Sequence, residues 1–437
     1  MPRGLLRIIW DVILLGRSNS TEEVSMSDVS NALVADLRDA LSRRRYNPVV
    51  VHNYCRNAEH FLDYLEQQKI ALEAVAPNDV STYLRLAVRR FRKRHGHSPA
   101  PGWTSIPRSG IHALLRFALE RWPPEPLAAS DDERLCREVC DQYGRWLRTE
   151  RGLAAASIRA LMWEARHFCA WRIQRCGAAD FAGLTVRDVD AYMDLRTPGL
   201  TRKSLKDVAE RLRSFLRHLH RTGRVAIDLS PHVIAPLLYA YEGIPSVLSP
   251  EQIATILDTA GNDASPMGLR DHAILQLLAN YGLRAGEVAH LKLDDIDWRA
   301  ETLRVHRSKT GAQSLLPLLE PAGEAVLRYL RHGRPETDTR DVFIRMRAPY
   351  LRMSGAAIYS AVSRRLAAAG VTPIGKRGPH IFRHARAVSL LRASVPRKVI
   401  GDVLGHRSPD STVPYLKLAT EDLRAIALEI PGREVRS

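Results

Sequence analysis

Two stretches of this chain, about a hundred residues apart, carry the same pattern. That repetition constrains the possible fold more than any other feature. Ala58-Glu59-His60-Phe61 with Tyr64 returns as Ala165-Arg166-His167-Phe168 with Trp171. Asn78-Asp79-Val80 with Tyr83 returns as Arg187-Asp188-Val189 with Tyr192, and Leu114-Leu115-Arg116 as Phe215-Leu216-Arg217. Order and spacing agree within a few residues, the signature of a duplicated unit. Apolar residues recur every three or four positions, so the unit reads as helical. In the first copy the pattern predicts helices over residues 31–45, 49–68, 78–94 and 110–121. Asn78 reads as an N-cap with Asp79 in the first turn. Residues 98–107, rich in Pro and Gly, read as a break, and 122–130, with three prolines, as a linker.

Charge then narrows the partners. The 437 residues hold 65 Lys+Arg against 48 Asp+Glu, a formal net charge of +17. On a composition that otherwise looks folded, such an excess points to a polyanion, most simply nucleic acid. Both copies concentrate it. Arg89, Arg90, Arg92, Lys93 and Arg94 end one helix, and Arg202, Lys203, Lys206, Arg213 and Arg217 line another. A basic run is often only a solvated face, but one in each copy favours phosphate contacts. The five cysteines (55, 136, 140, 169 and 176) form no C-x-x-C pair and no zinc spacing, and read as free thiols in apolar packing in a reducing cytoplasm. The apolar stretch 4–15 is too short to span a bilayer and is interrupted by Arg7 and Asp11, so no membrane attachment is expected. Residues 1–27 read as a disordered leader, with Met26 an alternative start.

The helical pattern breaks between 235 and 249, and a domain boundary is expected close to Pro245. Beyond it, Ser249-Pro250-Glu251 has the N-cap, first-position proline and early acid of a helix start. Residues 273–279 read as a buried helix, Tyr281-Gly282-Leu283 as a turn, and Arg284-Ala285-Gly286-Glu287 as the entry to a second helix. An arginine there can lie partly buried, within reach of an anion and oriented by Glu287. Leu303, Val305 and residues 315–318 read as two strands of a hairpin, with Lys309 near its tip and Gly311 in the turn.

The densest chemistry lies in residues 380–418. His380 and Arg383 form H-x-x-R at helical spacing, so their side chains share a face and can converge on one ligand. His384 follows. Gly405 reads as the C-cap of a helix ending in Val403 and Leu404, with His406 just beyond and Tyr415 nine residues later. Singly, His380 is more readily a core histidine and Tyr415 a surface aromatic on a helix. Together the residues are an unusual concentration of proton-transfer, anion-binding and nucleophilic groups.

Taken in order, these residues closely resemble the tyrosine recombinases, the phage integrase family. Arg284 in Y-G-L-R-A-G-E, Lys309 in the hairpin, His380 and Arg383 in H-x-x-R, His406 in L-G-H and Tyr415 in S-T-x-x-Y fill all six positions of the family's catalytic set. Each motif alone is weak; the ordered set is not. The resemblance covers residues 249–429 well, and 131–224 look like the family's helical core-binding domain. Ala385 stands where the family often has Thr or Ser. The extra copy before residue 130 makes the chain look more like the longer recombinases that act as transposases of mobile elements.

The resemblance implies a mainly α fold with a small antiparallel sheet. Two helical, SAM-like units (28–125 and 131–235) would precede an α+β catalytic domain (246–437), together closing around duplex DNA as a C. It implies strand cutting and rejoining through a 3′-phosphotyrosyl link, with Tyr415 as nucleophile and Arg284 and Arg383 on the phosphate. Lys309 would be the general acid, His380 would take the tyrosine proton, and His406 would hydrogen-bond the phosphate, with Glu287 and His384 in support. No metal and no nucleotide cofactor are implied. The expected assembly is four protomers on two DNA sites, monomeric or weakly associated when free, in the nucleoid. The amphipathic tail 416–437 would dock on a neighbouring protomer or on its own domain. Alternatives are an architectural DNA-binding protein with a retired site and a type IB-like topoisomerase.

Overall fold

The computed structural model describes residues 26–405 except 120, 127, 239–246, 308–310, 374 and 376. Lys309, His406, Tyr415, the leader before Met26, Pro245 and the tail 416–437 therefore lie outside the described residues. The chain divides into two compact units, residues 125–242 and residues 1–124 together with 243–437.

The first copy comprises α1 (Met26–Arg43), α2 (Pro48–Gln67), α3 (Pro77–His95) and α4 (Ser105–Ala118). Asn47 caps α2, its side chain accepting the Val49 N–H at 2.9 Å, with Pro48 in the first helical position. The expected cap at Asn78 is corrected: α3 starts one residue earlier, after Ala76. Pro77 is pre-set for a first turn, and the Asp79 carboxylate reaches back to the Ala76 N–H at 2.8 Å. Helix α4 likewise begins inside the expected break, because Pro107 falls in its first turn, where a missing N–H costs nothing. The 122–130 stretch is not wholly a linker, since Trp122 is buried and its Nε1 donates to His112 Nδ1 at 2.8 Å.

The second copy is α5 (Asp131–Thr149), α6 (Ala155–Cys176), α7 (Val186–Arg196) and α8 (Arg202–Arg221). Its core repeats the first in detail. Phe61 and Tyr83 meet edge to face with centroids 5.3 Å apart; Phe168 and Tyr192 do so at 5.0 Å. Tyr64 lies 5.3 Å from Tyr83, and Trp171 lies 5.2 Å from Tyr192. Leu114 and Leu115 are buried, as are Phe215 and Leu216. Residues that match in sequence thus occupy matching places in packing, which supports duplication. The copies differ in that α3 runs about two turns longer than α7, and the extension carries the Arg89–Arg94 basic run. Cys55, Cys136, Cys140 and Cys169 are buried as expected, whereas Cys176 is exposed.

The remaining elements are α9 (Pro250–Gly261), α10 (Pro266–Tyr281), α11 (Ala285–Ala289), β1 (Ile296–Asp297), β2 (Thr302–His306), β3 (Gln313–Pro317), α12 (Glu320–His332), α13 (Gly355–Ala368), α14 (His380–Arg392) and α15 (Arg397–Leu404). Ser249 caps α9 as read from the sequence, exchanging hydrogen bonds with Gln252. The three strands form one antiparallel sheet in the order β1-β2-β3, with Leu303 opposite Leu316 and Val305 opposite Ser314. Strand β1 is an addition to the expected hairpin. Helix α10 is the centre of the core, burying Ala273, Ile274, Leu275, Leu277 and Leu278 against α12, α13 and α14. Among the described residues no helix is long and apolar enough to cross a membrane.

Candidate active site

Helix α10 ends at Gly282, whose φ of +62° is a left-handed conformation that glycine adopts without strain. The position also needs to be small: a Cβ there would lie 2.7 Å from Leu404 Cδ2. The turn delivers Arg284 to the entry of α11 and brings the start of α14 alongside the end of α15.

Arg284 is partly buried, its side chain 17% exposed. Its Nη1 donates to Glu287 Oε1 at 2.6 Å, while Glu287 Oε2 accepts the Arg284 backbone N–H at 2.9 Å. Glu287 is buried, so its charge is held by partners rather than by water. The sequence reading of an arginine oriented by Glu287 holds in the structure. Asp271, the other carboxylate near Arg284 in sequence, is taken by Arg270, Arg364 and Arg365.

Arg383, only 3% exposed, donates from Nη1 to the Gly282 carbonyl at 2.9 Å and from Nη2 to the Leu404 carbonyl at 2.5 Å. His380, at the first position of α14, is exposed, and its ring centroid is 6.1 Å from that of His384. The shared face expected for His380 and Arg383 is therefore corrected in part. The histidine stands at the surface, and the arginine points inward to the Gly282 turn and the end of α15.

A third guanidinium joins them. Arg307, two residues before Lys309, is buried at 2% exposure. It donates from Nη1 to Glu287 Oε2 at 3.1 Å, from Nε to Ser314 Oγ at 3.1 Å and from Nη2 to the Val403 carbonyl at 2.7 Å. Burial lowers its pKa from the ordinary guanidinium value, and the adjacent Glu287 carboxylate opposes that shift. Arg284 completes the set with a bond from Nη2 to the Gly405 carbonyl at 2.9 Å. Three arginines thus hold the carbonyls of Val403, Leu404 and Gly405, the last groups of α15, which no further helical turn would satisfy. The helix end carries partial negative charge that favours cations there. Three guanidiniums against one carboxylate still leave an excess of positive charge at the residue that precedes His406.

Sequence reading missed Arg307, although its signal was present. Strand β2 alternates, with Leu303 and Val305 buried and Arg304 and His306 exposed, and the same alternation turns residue 307 inward. An arginine on the buried face of a strand needs partners.

The candidate DNA-contacting residues are placed unevenly. Arg89, Arg90, Arg92, Lys93 and Arg94 are all exposed on the last turns of α3. On α8, Arg202, Lys203 and Arg217 are exposed and Lys206 is half-buried. Lys203 pairs with Asp207, and Arg213 is tied to Glu210 and the Val233 carbonyl, which makes Arg213 in part a structural residue. Among the described residues no cluster of His, Cys, Asp and Glu could hold a metal ion.

Residues 246–422 match the phage integrase family. An integrase/recombinase-type protein of Sinorhizobium fredii, y4rA, is 31% identical over 395 residues, covering 89% of this chain and 91% of that protein. A second protein of the same kind and organism, y4gC, is 65% identical over 192 residues, 44% of this chain and 99% of its own length. The tyrosine recombinase XerC of a Mycobacterium species is 29% identical over 298 residues, 66% of this chain and 96% of the relative. Among solved structures, the XerH site-specific recombinase bound to difH substrate superposes with a TM-score of 0.50 at 15% identity, covering 70% of this chain and 91% of that one. That likeness is one of fold.

Proposed function

The chain belongs to the phage integrase family of tyrosine recombinases, enzymes that cut and rejoin DNA, and from that premise we propose how its residues divide the reaction. Arg284 and Arg383 neutralise the nonbridging oxygens of the scissile phosphate as charge builds in the transition state. Tyr415 Oη attacks phosphorus in line, forming the phosphotyrosyl bond as the bond from phosphorus to the 5′-oxygen breaks. His380 receives the tyrosine proton, Lys309 gives a proton to the departing 5′-oxygen, and His406 donates a hydrogen bond to the phosphate. Glu287 holds Arg284, and His384 stands beside His380. The bond energy is stored in the ester, so the reverse attack by a 5′-hydroxyl rejoins a strand without ATP.

The observation that carries this reading is the convergence of Arg383 and of Arg284, itself held by Glu287, on the carbonyls of residues 404 and 405, directly ahead of His406. An anion-binding cluster is built at the point where the chain enters the segment carrying the nucleophile. The exposed arginines of α3 and those of α8 then bind the DNA backbone. Residues 28–125 and 131–235 act as the two DNA-contacting units and 246–437 as the catalytic domain. Exchange between two duplexes calls for four protomers, with the tail beyond Tyr415 as the connecting segment, and the setting is the nucleoid.

The test is incubation, without added metal, with nicked duplexes from the flanks of the chain's own gene, followed by a denaturing gel. A covalent protein–DNA band with the native chain and none with Tyr415→Phe is the expected result. A band that survives in Tyr415→Phe overturns the assignment. Relaxation of supercoiled plasmid with no recombination at any site would favour a topoisomerase.

A further inference from the structure

Arg307 has no part in the reaction as described above, yet it is among the most enclosed charged groups of the described residues. Each of its three guanidinium nitrogens meets an acceptor on a different element: Ser314 on β3, Glu287 on α11 and the Val403 carbonyl on α15. Its backbone does a separate task. The Arg307 N–H donates to the Ala312 carbonyl at 2.8 Å, and the Gly311 N–H donates to the Arg307 carbonyl at 2.9 Å. These two bonds close the base of the loop that contains Lys309 in sequence. A fourth constraint comes from Gly405, where a Cβ would lie 2.7 Å from Arg307 Nε. Gly405 thus serves α15 as a left-handed cap and also leaves room for the arginine.

We propose that Arg307 is a positioning residue: it fixes the Lys309 loop to the carboxylate that holds Arg284 and to the helix end that leads to His406. The inference rests on the reading of Lys309 as the general acid. A general acid must stand within hydrogen-bond reach of the leaving oxygen, and an error of about 1 Å costs on the order of 100-fold in rate. In sequence Lys309 falls between β2 and β3, and a general acid carried there needs an anchor to hold such a position. Arg307 supplies one from inside the protein, through a planar fork whose donors point three ways at once. A lysine in its place would keep the charge but, as a single point donor, could not meet all three acceptors.

The test uses the full chain and the nicked duplex that gives the native adduct, made in two forms. One has the ordinary scissile phosphate. The other has sulfur at the bridging 5′ position, whose thiolate leaves without needing a proton. Arg307→Lys is expected to fold, shown by an unchanged circular dichroism spectrum, and to cleave the ordinary duplex about 100-fold more slowly. On the sulfur-bridged duplex it should come within a few fold of the native chain. Lys309→Ala should show the same selective rescue, and the double variant should be no slower than Lys309→Ala alone. Arg284→Lys should be slow on both duplexes.

Equal loss on both duplexes by Arg307→Lys, or a double variant slower than Lys309→Ala, would overturn the role while leaving Lys309 as the acid. Failure of Lys309→Ala to be rescued would overturn the underlying reading and this inference with it. Should Arg307→Lys not fold, Ser314→Ala carries the same test, because it removes only one of the three acceptors. It should slow the ordinary duplex several fold and be rescued by sulfur, and the absence of either effect counts against the proposal.

Discussion

The first helical copy and the region after residue 249 solve the problem of burial in opposite ways, with the second copy between them. In the first copy the interior is apolar and aromatic, built on Phe61, Tyr64 and Tyr83, while the second, built on Phe168, Trp171 and Tyr192, also encloses Glu164, Arg172 and His218. The arginine runs of α3 stay in water. In the region after 249 the chain encloses Arg270, Asp271, Glu287, Asp295, Arg307 and Arg383. Each ion in such a place costs several kcal/mol of lost hydration, recovered only through good partners. A protein that needed only a stable core would fill the space with leucine. Under the proposed function, the buried Glu287, Arg307 and Arg383 are the cost of holding guanidiniums in fixed places for a phosphate.

That contrast can be broken most directly at Glu287. Glu287→Ala leaves Arg284 and Arg307 without their carboxylate and should cost about 3–5 kcal/mol in urea unfolding, with the covalent adduct lost as well. A loss under about 1 kcal/mol would mean that the cluster is solvated and carries little strain. In the copies the corresponding test is aromatic. Phe61→Ala and Phe168→Ala should each cost about 3–5 kcal/mol by leaving cavities in matching places. A cost confined to one of them would weaken the equivalence of the two cores.

A smaller effect separates the regions by pH. His218, in the second copy, is buried with neither ring nitrogen hydrogen-bonded to protein. Burial lowers its pKa, and neighbouring Arg221 lowers it further. The groups facing it include Tyr143 and Trp146 and the charges of Arg221 and Glu150, the last of which raises the value in part. Because the folded pKa lies below the unfolded one, the unfolded chain takes the proton first. The contribution to stability is therefore complete above about pH 6.5 and is lost as pH falls below it. His218→Leu should flatten that part of the pH–stability curve. An unchanged acid slope would exclude His218 as the cause.

Smallest of all should be the exposed basic residues. Arg89→Ala or Lys93→Ala should leave stability within about 0.5 kcal/mol. If either contacts a phosphate, it should lower the slope of log K against log salt by about 1. An unchanged slope would remove that residue from the interface.

Much of this contrast was legible in the sequence where a local rule decides. The repeated aromatic spacing, the Ser249 cap, the hairpin strands and the left-handed Gly405 all follow from periodicity or from the backbone needs of one residue. The first copy shows where such rules stop. Asn78 is the better cap by residue type, but Pro77 and the back-bonding of Asp79 move the helix start to follow Ala76. Arg307 was passed over for another reason. Its partners lie on β3, α11 and α15, the last of them 96 residues away, and only tertiary folding brings them together. The convergence expected of His380 and Arg383 is only partial, because three-residue spacing puts two side chains on one side of a helix but does not fix how deeply each is buried.

The most direct measurement is on the covalent product itself. The adduct formed by the native chain on a nicked duplex would be digested with nuclease and protease and analysed by tandem mass spectrometry. The account predicts a nucleotide on the phenolic oxygen of Tyr415, in the peptide following Leu404-Gly405-His406. A nucleotide on any other side chain would contradict it.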